Sequence, residues 1–574
     1  MKNYSFIGRI VVALLFLTGF AASPNTAHAQ KEKFKYRWLY LAYNLQVDEN
    51  VPKLEGLLQR AHDAGYNGAV LADYKFNVLD RVPANYFTNL ARVKATADKL
   101  GIALIPSIAG FGYSDGILAH DPNLAEAIPV KQAPFIVRNG TADITKTDNL
   151  LPGGDFETAT GGKFAGWDWQ DNGIAPDTTI FHGGKSALRL ENIGAVNAPS
   201  GNGRIVRTVD VTPWRQYDFS VWVKTADFAR ASDVHCTILP VDGNGQSVVQ
   251  NTWAVKNTGD WTQYHAVFNS LNHDKLRVYV GVWGGTTGTL WLDDARLTEV
   301  GLLNLVRRPN CPLVVKSADG TVYEEGRDFA PVADPKLGNV PYAGVYEVFH
   351  APPVITMLST GRIKNGQTLL VSYFHTVTVN DGQVTASLTA PKVYDIISDQ
   401  INRVQKSLAP PGYLIAHDEI RLGGWDGDSE KFGKSVGVQL ADSVRRVSLL
   451  VRKANPKAEL FFWSDMFDPS HNAHGDYYLV NGSWANSWEG LPRDAVILNW
   501  NSQKPDESLP FFALRGHRQI LAGYYDGTPD SIKAWLAKTG RSANSVVGVM
   551  YTTWQNKYDD LEAFARAAWG NPVP

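Results

Sequence analysis

Cysteine is nearly absent: 574 residues carry two, Cys236 and Cys311. Two thiols cannot build a disulfide framework, so stability has to come from buried apolar surface. The sequence leaves open whether the pair meets. No Cys/His cluster has the spacing of a metal site. Charge of one sign is missing too. Lys and Arg number 55 against 57 Asp and Glu, a formal net charge of −2, and no long block of either sign occurs. That leaves no electrostatic reason to expect nucleic acid or an anionic membrane as partner. Beyond the N-terminal segment no apolar run is long enough to span a bilayer. Aromatic residues, by contrast, are plentiful, with 17 Trp, 23 Tyr and 24 Phe. Flat rings suit the C–H faces of sugars, although most rings in any chain serve the core.

Lys2 and Arg9 flank a short basic region, Ile10 to Phe20 is nearly all apolar, and Ala27-His28-Ala29 has a small-x-small pattern. This predicts a signal peptide over residues 1–29, cleaved near Ala29, and a mature chain that is secreted or periplasmic with no membrane span.

A chain of 574 residues should hold more than one domain. Strand-like and helix-like segments alternate from residue 35: Trp38–Tyr43, Val51–Ala64, Gly68–Ala72, Asn85–Leu100 and Ile102–Pro106. Alternation predicts a parallel sheet. From Asn149 the helical period gives way to period 2, as in Phe219–Lys224 and Leu276–Val282, with Gly/Asn/Asp turns between. That predicts an all-β jelly-roll sandwich able to fold alone. Residues 300–365 are irregular and Pro-rich. Strand candidates then resume at Thr368–Tyr373, Tyr413–Ala416, Leu460–Trp463, Val496–Asn499, Ile520–Gly523 and Val546–Met550. The expected class is α/β: a (β/α)8 TIM barrel in two parts, 35–148 and 366–574. The sandwich at 149–299 and a connecting β subdomain at 300–365 are inserted after the third strand. Nine strand candidates exceed the eight a barrel needs, so one, Thr368–Tyr373 or the first, lies outside it.

The most informative stretch is Gly412–Ala416 followed by His417-Asp418-Glu419-Ile420, a short apolar run ending in adjacent carboxylates and a Gly-rich loop. Parallel barrels build their sites from such C-terminal strand ends, and paired carboxylates suit acid–base work at a glycosidic bond. Other strand ends are similarly loaded: Asp73-Tyr74-Lys75, Tyr373-Phe374-His375, Trp463-Ser464-Asp465, Trp500-Asn501, Tyr524-Tyr525-Asp526 and Tyr551-Thr552-Thr553-Trp554. Aromatics interleaved with acids compose a sugar cleft. The substrate-contact candidates are Asp73, Tyr74, His375, His417, Trp463, Asp465, Trp500, Tyr524, Asp526, Tyr551 and Trp554. Neighbours on a regular strand point to opposite faces, so Asp418 and Glu419 share a site only if the strand breaks there.

Four strand ends, in order, resemble those of the family 20 glycoside hydrolases, the β-N-acetylhexosaminidases: Asp418-Glu419, Phe462-Trp463-Ser464-Asp465, Tyr524-Tyr525-Asp526 and Met550-Tyr551-Thr552-Thr553-Trp554. Ala416-His417 stand where that family has paired glycines, and no arginine near the first strand matches its substrate-binding one. The resemblance implies a glycoside hydrolase with Glu419 as acid/base and no catalytic cofactor. An ionised Asp418 would orient a substrate acetamido group for substrate-assisted catalysis, an exception to the two-carboxylate scheme. Two alternatives stay open. One is a retaining glycosidase on a non-acetylated glycan, with Asp465, Glu489 or Asp526 as nucleophile. The other is a non-catalytic glycan-binding protein.

The inserted sandwich resembles carbohydrate-binding modules of the family 4/9 type through Asn149–Glu157, His182–Leu190, Gly259–Tyr264 and Leu290–Asp294. The resemblance implies a carbohydrate partner and structural calcium held by Glu157 with Asp293 or Asp294. The alternative for Glu157 is a capped turn. Trp167 and Trp169 are candidates for stacking on sugar.

Overall fold

The computed structural model describes residues 34–145, 148–229, 233–241, 246–249, 251–338, 345–380 and 382–570; the expected signal peptide lies outside them. Eight parallel strands close into one barrel: β1 (Tyr36–Leu41), β2 (Gly68–Leu71), β3 (Ala103–Ile108), β4 (Gly412–Ile415), β5 (Glu459–Trp463), β6 (Val496–Asn499), β7 (Arg518–Tyr524) and β8 (Val546–Thr552). Alternation sends Trp38, Tyr40, Phe461, Trp463 and Met550 into the barrel, and Leu39 and Leu41 out to the helical shell. Gly68 follows from this filling, since a Cβ there would come within 2.2 Å of the Trp38 indole nitrogen. The shell includes α1 (Asn50–Asp63), α2 (Ala84–Lys99), α3 (Pro391–Leu408), α4 (Val436–Ala454), α5 (Pro505–Leu514), α6 (Ser531–Ala537) and α7 (Leu561–Trp569). Each buries one stripe, such as Val393, Ile397, Ile401 and Val404 of α3. Between β5 and β6 two 3-10 turns, Asp465–Phe467 and Ser487–Gly490, stand in for a helix.

Between β3 and α3, the helix that leads into β4, a long insertion intervenes. A sandwich of two five-stranded sheets buries Phe219, Val221 and Val223 against Val278, Val280 and Val282. A seven-stranded antiparallel sheet connects it to the barrel. At the centre of that sheet Ile128–Arg138 pairs with Thr368–His375. Thr368–His375 is therefore the strand candidate outside the barrel. Both strands fall in segments read above as barrel. Val130, Ala133, Phe135 and Val137 alternate inward, the pattern of a half-buried antiparallel strand, and their partner is remote in sequence. Cys236 and Cys311 are buried, unpaired thiols. Among the described residues no helix is long and apolar enough to cross a membrane.

Candidate active site

β4 stops at Ile415, and four residues later Glu419 has a φ of 48°, a left-handed conformation that costs a non-glycine residue about 1–2 kcal/mol. The break turns both acids onto one cavity of about 530 Å³ at the C-terminal end of the barrel. Its walls include Tyr40, Asp73, Tyr74, Tyr113, Asp418, Glu419, Trp463, Trp500, Tyr525 and Trp554. The loop after β3 packs backbone to backbone on the two acids. A Cβ on Gly112 would lie 2.2 Å from the Asp418 carbonyl oxygen.

Glu419 is held on every side. Its N–H donates to Asp465 Oδ2 at 2.9 Å, and its carbonyl accepts from Gln383 Nε2 at 3.0 Å. Its carboxylate pairs with Arg421 at 2.7 Å and accepts from the Tyr113 hydroxyl. Asp418 differs. Burial, then the neighbouring Asp465 and Glu419, push its carboxyl well above the ordinary range, where the family resemblance implied an ionised group. Asp73 caps the turn Tyr74–Asn77, accepting from Leu45 N–H at 2.8 Å and Lys75 N–H at 3.0 Å. Burial outweighs those bonds and raises its pKa to about 6.

The aromatic wall is continuous. Trp500 and Tyr525 stack at 5.9 Å with planes 7° apart, Tyr525 meets Trp554 edge-on at 5.7 Å, and Trp554 lies 5.9 Å from Trp463.

Of the sequence-predicted contacts, Asp73, Tyr74, Trp463, Trp500 and Trp554 line the cavity. Asp465 and Asp526 stand behind it. Asp465 accepts from Trp500 Nε1 at 3.2 Å as well as from Glu419, and Asp526 accepts from Trp554 N–H at 2.8 Å. Four predicted residues are elsewhere. His417 is buried toward α4, with Nε2 3.0 Å from Ser443 Oγ, and burial lowers its pKa to about 3. His375 is buried in the connecting sheet, also lowered to about 3. Tyr524 stacks on Tyr551 at 4.2 Å and donates to Asp560 at 3.1 Å, while Tyr551 donates to the Lys557 carbonyl at 2.6 Å. For Tyr524 the cause is a local coil: Tyr524, Tyr525 and Asp526 have φ of 71°, 53° and 57°, which abandons strand alternation and swings Tyr525 over the cavity instead, whereas Tyr551 follows the inward Met550 and faces outward by plain alternation. Glu489 is exposed and, like Asp465 and Asp526, does not line the cavity.

Sequence reasoning missed Tyr40, Tyr113, Arg421 and Gln383. Tyr40 is signalled by the inward phase of Trp38, and Tyr113 by Gly110-Phe111-Gly112-Tyr113, a Gly-rich aromatic strand end like those it singled out. Gln383 carries no local signal.

On the sandwich, Trp167 is structural, stacked on Phe156 at 5.6 Å. Trp169 is 48% exposed. The Arg204 guanidinium lies 5.7 Å from both Trp169 and Trp283, and His235 stacks on Trp283 at 4.1 Å. Glu157 accepts from Lys185 N–H at 2.7 Å, and Asp293 from His182 N–H at 2.7 Å, so both carboxylates hold one turn. Burial raises the Asp293 pKa to about 6. Among the described residues no three His, Cys, Asp or Glu side chains cluster as a metal site.

Residues 148–289 match the family described as a carbohydrate binding domain. No curated protein sequence matches this chain significantly. Among solved structures, a family 16 carbohydrate-binding module shares 20% identity over 26% of this chain and 99% of its own, with a TM-score of 0.20. A chitobiase of Flavobacterium johnsoniae shares 9% over 94% of this chain and 48% of its own, TM-score 0.39. A rhamnosidase from Novosphingobium sp. PP1Y shares 10% over 95% and 60%, TM-score 0.33.

The carbohydrate-binding module grips the rest of the chain. Its Arg215 donates to the Gln132 carbonyl at 2.9 Å, and its Gln216 and Asn269 side chains lie 2.9 and 3.0 Å from the two ring nitrogens of His375. Its apolar core runs on into Ile128, Val377, Val379, Leu422 and Leu479.

Proposed function

We propose that the protein is an exported glycoside hydrolase acting on an oligo- or polysaccharide that contains N-acetylhexosamine, with Glu419 as acid/base and Asp418 assisting. The observation that carries this reading is the left-handed turn at Glu419, just past the strand end, which brings two adjacent carboxylates onto one aromatic-walled cavity. Glu419 would protonate the glycosidic oxygen. Asp418, once it has lost its proton, would accept the substrate acetamido N–H, whose carbonyl oxygen attacks the anomeric carbon. Water would then open the cyclic intermediate, with Glu419 as base. Support for substrate assistance is that, among the described residues, no other carboxylate stands free in the cavity as a nucleophile. Asp465, Glu489 and Asp526 do not line the cavity, and the oxygens of Asp73 are engaged by backbone N–H groups. Trp169, Arg204 and Trp283 would form the module's sugar-binding face, and calcium would be held by Glu157 and Asp293, which tie one turn. Export rests on the pattern of residues 1–29.

A panel of chromogenic glycosides tests the reading. Hydrolysis of N-acetylhexosaminides, inhibition by a thiazoline analogue, and a fall of about 10²–10⁴ in turnover for Glu419→Gln are expected. A fluorosugar adduct on a protein carboxylate would replace substrate assistance with a covalent mechanism. Binding without hydrolysis across the panel would leave a glycan-binding protein.

A further inference from the structure

The segment between the connecting sheet and α3 touches both the carbohydrate-binding module and the acid/base. Val377 and Val379 are buried in the module's core. Val379 N–H donates to the Gln383 carbonyl at 2.8 Å, which ties the two positions together. The Gln383 side chain is buried against Glu419. Its Nε2 donates to the Glu419 carbonyl at 3.0 Å, and its Oε1 accepts from Arg421 Nη1. Arg421 Nη2 pairs with Glu419 Oε1 at 2.7 Å. One amide thus meets both the backbone of Glu419 and the guanidinium clamped on its carboxylate. Gln383 does not line the cavity, and an amide has no proton to exchange with substrate at ordinary pH.

We propose that Gln383 is a positioning residue: it keeps Glu419 in its left-handed conformation and, through Arg421, aims the carboxylate into the cavity. This rests on Glu419 being the acid/base. Proton transfer to a leaving oxygen demands hydrogen-bond reach, and a displacement of about 1 Å at a reacting group is costly. The dependence on Gln383 should therefore grow with the need for a proton. An aryl leaving group that departs unaided should feel it little.

The test is Gln383→Met, similar in length and unable to hydrogen-bond, in the full-length chain. Two N-acetylhexosaminides are compared, one with a good aryl and one with a poor alkyl leaving group. On the poor one kcat should fall by about tenfold or more, on the good one by less than about threefold, with KM within about twofold in both. In the Glu419→Gln background the same change should cost almost nothing further on the poor substrate, because a positioning residue acts only through the group it positions. Equal losses on both substrates, or full additivity with Glu419→Gln, would overturn the proposal and make Gln383 a packing residue. Normal turnover by Glu419→Gln alone would remove the acid/base reading and this proposal with it, and that result is seen without touching Gln383. If Gln383→Met does not fold, Gln383→Glu takes its place. It keeps the length and the acceptor for Arg421, loses the donor to the Glu419 carbonyl, and faces the same outcomes.

Discussion

Asp418 and Glu419 are neighbours in the chain and opposites in environment. Glu419 faces a cation and a hydroxyl; Asp418 faces burial and two other carboxylates. A folded-state pKa raised above the unfolded value means that the native protein binds the extra proton. The group's contribution to stability therefore declines as pH rises from the ordinary Asp range through the raised value. Activity adds a second condition. Asp418 must release its proton while Glu419 still holds one, so kcat/KM on N-acetylhexosaminides should be bell-shaped in pH with one limb well above the ordinary carboxylate range. Asp418→Asn should remove that limb along with most of the activity. Two limbs that both stay near the ordinary carboxylate range would show that burial does not govern Asp418.

At the scale of single elements, ends matter more than middles. The four-residue β4 is fully buried, and its function lies in the turn it releases. The same holds after β7, where three left-handed residues decide which tyrosine reaches the cavity. On the module the turn around residues 182–186 is tied by Glu157 from one end of its sequence and Asp293 from the other. If calcium joins these carboxylates, the ordering of that turn depends on it. The melting temperature of the protein should then fall in a chelator and recover with added calcium. An unchanged melt would leave the hydrogen bonds alone as the clasp.

In the whole molecule the carbohydrate-binding module and the barrel share an interior. Removal of residues 149–299 would uncover Ile128, Val377, Val379 and Leu422, all buried against the module. Each such side chain is worth about 1.5–3 kcal/mol when fully buried. The excised barrel should therefore be less soluble and melt lower than the full chain, even with a Gly/Ser bridge in place. A soluble barrel with an unchanged melt would show that the module is separable after all.

The alternating periods of strand and helix were enough to announce the barrel, the inserted sandwich and the acidic, aromatic strand ends. Period is a short-range property, written residue by residue by which faces must be apolar. Asp73, Trp463, Trp500 and Trp554 were legible for that reason. Tertiary structure decided what period cannot express. The left-handed coils at Glu419 and Tyr525 broke alternation, so Asp418 and Glu419 came to share a face while Tyr524 turned away. Pairing between remote strands carried His375 and Ile128–Arg138 into the connecting sheet. Gln383 and Arg421 reached Glu419 only through a close approach of distant segments, because a hydrogen bond across a fold leaves no pattern in the residues that flank it.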